Sequence, residues 1–341
     1  MAKFKPNLLP TAIGSMPHTD PREACSLITK YLPTIPVWPQ LPNRSFQENM
    51  YAQFSEGFPG VIVEGDQIYI NRSQNLDQQL EQLYTDYLEN KLDQYAPSPD
   101  YAAGLDAFLS LGIEPFAVKG QVTGPISWGL TVTDQEHRAV LYDETIADAT
   151  AKHLRLKAAQ QERALSAISP NTIIFIDEPY MASFGSAFLS LSREQVIELL
   201  EEVFKGINGL KGIHCCGNTD WSVLLDTSVD ILSLDAYNHA RSISLYPSEV
   251  KSFLERGGSI AWGIVPNEEG ALTEESVASL KDRLEEAIAP LTRKGIHFKQ
   301  LTEQGLITPS CGLASLSKEA ATQALELLAE LSARMRKRYA S

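Results

Sequence analysis

The sharpest chemical signal in the chain is Gly212-Ile213-His214-Cys215-Cys216-Gly217. Side chains alternate between the two faces of a strand, so residues i and i+2 point the same way. His214 and Cys216 therefore share a face, and Cys215 turns into packing. An imidazole beside a thiolate at a strand end suits Zn2+, which takes nitrogen and sulfur ligands in a tetrahedral set. Read alone, the motif is equally a buried histidine beside two core cysteines, since free cysteine is among the most buried residue types. Cys311, in Thr308-Pro309-Ser310-Cys311-Gly312-Leu313, tips the balance. One histidine and two cysteines from two strand ends make a three-ligand zinc site with an open fourth position, the mark of a catalytic rather than a structural metal.

Carboxylates end two more apolar runs. Asp235 closes Ile231-Leu232-Ser233-Leu234-Asp235. It reads as an oxygen ligand that a substrate displaces, as a partner for His214, or as a helix N-cap. Asp177 and Glu178 follow Ile173-Ile174-Phe175-Ile176 and precede Pro179. They are placed to hold a cationic amine of a substrate, or to bridge to a neighbouring loop. In Ile13-Gly14-Ser15 the glycine lets backbone approach a ligand and Ser15 can donate to a carboxylate. Gln121, Thr123 and Trp128 line the same mouth or simply pack.

Eight β-rich runs must position these groups: residues 11–16, 35–40, 115–121, 172–178, 211–216, 230–235, 259–265 and 305–311. Helical stretches separate most of them, which implies parallel βα units and, with eight of them, a closed (β/α)8 TIM barrel whose strand ends converge on one site. Expected helices cover residues 134–168, 192–206 (with a Ser192/Gln195 capping box), 273–291 (Thr273/Ser276) and 317–339. The second and third strands are far apart. The insert between them, about residues 41–110, contains a hairpin over 61–70 turning at Gly65-Asp66 and a helix over 76–92. It is expected to cover the barrel rim within one domain spanning 1–341.

Bulk composition agrees with an ordinary globular chain: 341 residues, 43% hydrophobic and 21% charged. The net charge of -14 argues against nucleic acid, because phosphate binding needs a basic face. The basic run over residues 334–339 suits a helix C-terminus. No run reaches the roughly 18 apolar residues of a membrane span, and the first residues show no signal-peptide core. A cytoplasmic location is therefore expected. Four cysteines, three of them in two short motifs, fit metal chemistry rather than a disulfide framework.

Taken together, these residues resemble the catalytic, C-terminal half of cobalamin-independent methionine synthase. The resemblance is carried by His214-x-Cys216, Asp235, Cys311-Gly312-Leu313, Ile13-Gly14-Ser15, the run from Val118 to Pro125, and Ile176-Asp177-Glu178-Pro179. His214-Cys215-Cys216-Gly217-Asn218 also looks like the zinc motif of the methylcobalamin:coenzyme M methyltransferases. Both groups are members of the uroporphyrinogen decarboxylase-like barrel superfamily. The resemblance implies that zinc activates a substrate thiol for methyl transfer, with homocysteine giving methionine. It also implies that Asp177 grips the amino group, Ser15 the carboxylate, and Glu48 in Phe46-Gln47-Glu48-Asn49-Met50 a second contact to the amine. Three departures stand out. This sequence offers no second barrel-like half for folate. Asp235 stands where that family carries Glu. The loop from Trp262 to Glu268 lacks the histidine expected to protonate the folate leaving group. A methyl-corrinoid, on a separate corrinoid protein, is therefore the expected donor. Alternatives are transfer to coenzyme M or another small thiol, uroporphyrinogen-type decarboxylation, and a non-catalytic zinc-thiolate or corrinoid-handling module.

Overall fold

Apolar runs bounded by turn residues pair side by side in the computed structural model, which describes residues 4–72, 75–186 and 189–339. Its strands are β1 (Leu9–Pro10), β2 (Val61–Glu64), β3 (Gln67–Ile70), β4 (Val118–Thr123) and β5 (Thr133–Asp134). Five more follow: β6 (Thr172–Asp177), β7 (Leu210–Cys215), β8 (Ile231–Leu234), β9 (Ser259–Val265) and β10 (Gly305–Pro309). Seven form one all-parallel sheet in the order β1-β10-β9-β8-β7-β6-β4. Strands β6 to β10 match the expected runs within a few residues. Between consecutive sheet strands the chain crosses over through helices, as parallel pairing requires.

The first two expected strands are the least regular. Residues 35–40 contain Pro36 and Pro39, which have no N–H to donate to a ladder. Only single bridges form there, Val37 with Lys119 and Gln40 with Ser15. Those bridges join the β4 edge of the sheet to the segment that continues from β1. Leu9, Ile35, Ala117, Ile173, Phe175, Ile231, Ala261 and Leu306 form an inner core on one face of the sheet. A larger core packs the outer faces of the same strands against the helices.

Helix boundaries follow their caps. Helix Arg193–Phe204 carries the expected Ser192/Gln195 capping box. The expected helix from 134 starts later, at Glu144, because Asp143 is the N-cap. Asp134 instead belongs to β5 and binds Arg138. Thr273 does not cap. Its hydroxyl donates to Gly270 O at 2.7 Å, and Ser276 caps helix Val277–Arg293 with Ser279. The hairpin β2–β3 turns at Gly65-Asp66, where Gly65 has φ +58°. Helix Leu76–Glu89 follows, and Lys318–Tyr339 closes the fold with Arg336, Lys337 and Arg338 in its last turn. Among the described residues no helix is long and apolar enough to cross a membrane.

Candidate metal centre

His214 lies near the end of β7, and its side chain is held by one nitrogen. Nδ1 sits 3.0 Å from Ser233 Oγ on the neighbouring strand, its register partner. Nε2 is buried and has no hydrogen-bond partner. An imidazole fixed through one nitrogen and bare at the other is the form that ligates a metal. Ligand atoms of His214, Cys216 and Cys311 lie within 4.8 Å of one another. Cys311, donating to it, and the adjacent His214 hold the Cys216 thiol well below its usual range, to about 4. Cys311, which donates to Cys216 and is buried, is pushed up. One imidazole nitrogen and two sulfurs so grouped make a donor set that a soft divalent cation fits. Cys215 is buried in the outer core and burial raises its thiol to about 12, as strand alternation requires.

Beside this group lies Asp177, the register partner of His214 across β6 and β7. It is buried, and its Oδ1 has no partner. Burial raises its carboxyl to about 6, opposed by the Lys119 and His214 charges. Lys119 is fully buried inside the sheet. Its ammonium donates to Ile13 O at 2.7 Å and Gln121 Oε1 at 3.3 Å, and lies 4.3 Å from the Phe175 ring centroid. Burial pulls the Lys119 ammonium down to about 7, against the pull of Asp177; Asp177 is thus a buried carboxyl that interacts with a lysine and is open on one side, which suits a ligand ammonium.

Ser15 adjoins the Cys311 segment. A Cβ on Gly312 would lie 2.0 Å from Ser15 Oγ, and Leu313 N donates to Ser15 O at 2.9 Å. Gln121 is already engaged, donating to Trp38 O and accepting from Lys119. Gly14 makes room for it: a Cβ there would meet Gln121 Cδ at 2.6 Å, and its φ of +146° disfavours any side chain. Thr123 Oγ1 donates to Met50 O, and Trp128 Nε1 to Ser55 Oγ, so both tie the insert to the sheet.

The acids divide differently from expectation. Asp235 is the N-cap of helix Ala236–Ile243, with Oδ1 accepting from Asn238 N and Oδ2 from Asn238 Nδ2, both at 2.8 Å. It lies outside the His-Cys-Cys group. Glu178 faces helix Pro125–Thr131 rather than an amine. Its carboxylate accepts from Ile126 N, Ser127 N and Ser127 Oγ at 2.6–2.9 Å. Burial nevertheless lifts its carboxyl to about 7. Glu48 is buried and paired to Arg44 at 2.8 Å. Strand alternation accounts for Glu178: Asp177 takes the inner face, and the next residue must take the other.

A cavity of about 630 Å³ opens between the β2–β3 hairpin and residues 46–51 and 131–137. Its lining includes Phe46, Tyr51, Tyr69, Asn49, Gln67 and Gln135. Burial pushes the Tyr51 hydroxyl up to about 12. Lys119 and Ser233 take places at the site that the sequence does not assign, though a signal exists for each: Lys119 shares a face with Gln121, and Ser233 with Asp235.

No family model matches the chain. A curated methionine synthase from Methanocaldococcus jannaschii is 26% identical over 233 residues, covering 67% of this chain and 68% of the relative. A B12-independent methionine synthase from Shewanella sp. W3-18-1, solved in complex with selenomethionine, superposes with a TM-score of 0.60 at 15% identity. That match covers 97% of this chain and 98% of the other. A methyltransferase from Methanosarcina mazei gives 0.56 at 12% identity, over 95% and 93%. The chain is thus similar in sequence to a methionine synthase and shares its fold with a B12-independent methionine synthase and a methyltransferase.

Proposed function

We propose that the chain is a zinc-dependent thiol methyltransferase that methylates homocysteine to methionine. In this reading residues 1–341 form one TIM-barrel domain, closed through residues 35–40, with the insert over its rim. His214, Cys216 and Cys311 hold the zinc, and the observation that carries the reading is the buried, unpartnered Nε2 of His214 facing two cysteines. A zinc ion so held lowers the pKa of an incoming thiol and favours its thiolate. Asp177, ionised and backed by Lys119, binds the substrate ammonium and so sets the sulfur's position. Ser15 binds the substrate carboxylate. Asp235 steers the neighbouring helix and stays near the site as a negative group. The sulfur–methyl bond forms as the donor–methyl bond breaks, and the thiol proton leaves to solvent.

A methyl-corrinoid is the proposed donor. The loop after β9 supplies no histidine, and Asn267 in it is occupied by Ser310 and Gly312. A corrinoid leaves as a low-valent cobalt species without a proton, whereas a folate amine needs one. One observation favours a second reading, a donor other than a corrinoid: the Shewanella neighbour is described as B12-independent and matches over 98% of its length. The zinc reading is tested by metal analysis. About one zinc per chain is expected, lost in Cys311→Ala and kept in Cys215→Ala. Full zinc content and activity in Cys311→Ala would sink it.

A further inference from the structure

The position of Cys311 is anomalous for its strand. Leu306 packs in the inner core and Ile307 in the outer one. Strict alternation carries Thr308 and Ser310 inward and Cys311 outward. Yet Cys311 Sγ lies within 4.8 Å of the ligand atoms of His214 and Cys216. Ile213 and Cys215 pack in the outer core, so His214 faces inward. The chain has therefore changed phase between Thr308 and Cys311.

β10 ends at Pro309, so Cys311 lies beyond its ladder, where alternation no longer fixes its direction. Thr308 pairs with Gly263 and Pro309 with Val265, so the extra residue of the β-bulge, Ile264, belongs to β9, where Ile264 and Val265 both pack in the outer core. Gly263 is required for the bulge, because a Cβ there would meet Leu234 O at 2.5 Å and Ser310 Cα at 2.9 Å. Beyond the bulge, hydrogen bonds hold the chain on both sides of Cys311. Ser310 N donates to Val265 O at 2.8 Å and Ser310 Oγ to Asn267 Oδ1 at 2.8 Å. Asn267 Nδ2 reaches Gly312 O at 3.4 Å. On the far side Leu313 N donates to Ser15 O.

We propose that Asn267 is a positioning residue for the metal centre: by tying Ser310 and Gly312 together it turns Cys311, out of phase with its strand, toward His214 and Cys216. This rests on the metal reading above, and it explains what the loop after β9 does in place of proton donation. The Asn267 amide offers an acceptor oxygen and a donor nitrogen, and both atoms are used on the residues flanking Cys311. Among the described residues no other side chain bonds to both.

The test compares the wild-type chain with Asn267→Ala and Ser310→Ala. Zinc affinity is measured by competition with a chromophoric chelator. The ligand set is read from the thiolate-to-metal absorption of the cobalt(II)-loaded protein. Thermal unfolding of the metal-free chains reports fold. Phenylarsine oxide, which bridges paired thiols, is titrated into the metal-free chains as a probe of Cys216–Cys311 spacing that needs no zinc. Removing an outer-shell partner of a metal ligand typically weakens binding roughly 10–100-fold. That loss is expected for zinc in Asn267→Ala, with cobalt absorption falling toward the one-thiolate level and the arsenical binding weakened by about tenfold. Ser310→Ala, which leaves the Gly312 contact, is expected to lie between Asn267→Ala and wild type, and it carries the test if Asn267→Ala does not fold. Zinc and arsenical affinities within about threefold of wild type, with unchanged cobalt absorption, overturn the proposal. A wild-type chain that binds the arsenical but no zinc removes the metal reading, and the arsenical titration of the variants still decides the clasp.

Discussion

Asp177→Asn is the most discriminating single change. It preserves shape and removes one charge from a buried carboxylate whose Oδ1 has no protein partner. A hydrogen bond to a charged group contributes about 1.5–3 kcal/mol, so kcat/KM for homocysteine is expected to fall roughly ten- to 150-fold. A general loss of activity would look the same, so a second substrate is needed. 4-Mercaptobutanoate is homocysteine without its amine. Wild type is expected to prefer homocysteine over it by about the same factor, and Asp177→Asn to treat the two nearly alike. Protonation gives an independent check. Burial raises the Asp177 carboxyl to about 6, so the clamp is charged above that pH and lost below it. The homocysteine preference of wild type should therefore fade as pH drops through about 6, and Asp177→Asn should show no such step. If the variant keeps the wild-type preference between the two thiols, Asp177 does not hold the amine.

Other changes test the frame around the site. Lys157 is buried, 4.0 Å from Glu56, and desolvation lowers its ammonium to about 8. A lysine with a depressed folded pKa destabilises the fold while it is charged in both states, below about 8, and the penalty fades between about 8 and 10.5. At about 1.4 kcal/mol per pH unit it amounts to roughly 3 kcal/mol, so Lys157→Met should raise stability at pH 7 by up to that amount and less at pH 10. Denaturant unfolding at both pH values measures it, and an unchanged midpoint at pH 7 would contradict it. Glu178→Ala leaves the amides of Ile126 and Ser127 without their acceptor. It should cost about 2–4 kcal/mol, read by the same method, because Glu178 serves the fold rather than the substrate. Gly14→Ala drives a Cβ into Gln121 at a strained φ. A loss of at least about 2 kcal/mol is expected in thermal unfolding, with full stability as the contrary result.

Much of the site was legible because chemistry and alternation point the same way there. His214 and Cys216 share a face, Cys215 does not, and the structure places them so. The strands from β6 onward were legible for a related reason: each is an apolar run buried on both faces. Residues 35–40 were less so, since Pro36 and Pro39 leave single bridges in place of a ladder. Cys311 was reached from its position at a strand end, but its orientation was not, because it lies beyond the last ladder residue, Pro309, outside the strand's alternation. Glu178 could not be separated from Asp177 by residue type, since only the helix packed against it makes it a cap. Lys119 stayed silent for a similar reason. A lone lysine in an apolar run gains meaning only once Asp177, Gln121 and Ile13 are seen around it.

The most direct measurement is methionine formation by the zinc-loaded chain from homocysteine, with methylcobalamin and methyltetrahydrofolate supplied side by side at equal concentration. Turnover with methylcobalamin, abolished by metal removal and restored by zinc, is the expected result, with methyltetrahydrofolate inactive because the loop after β9 offers no proton donor and general acids supply roughly 10²–10⁴-fold. Comparable turnover with methyltetrahydrofolate, or methionine formation that survives removal of the metal, would contradict it.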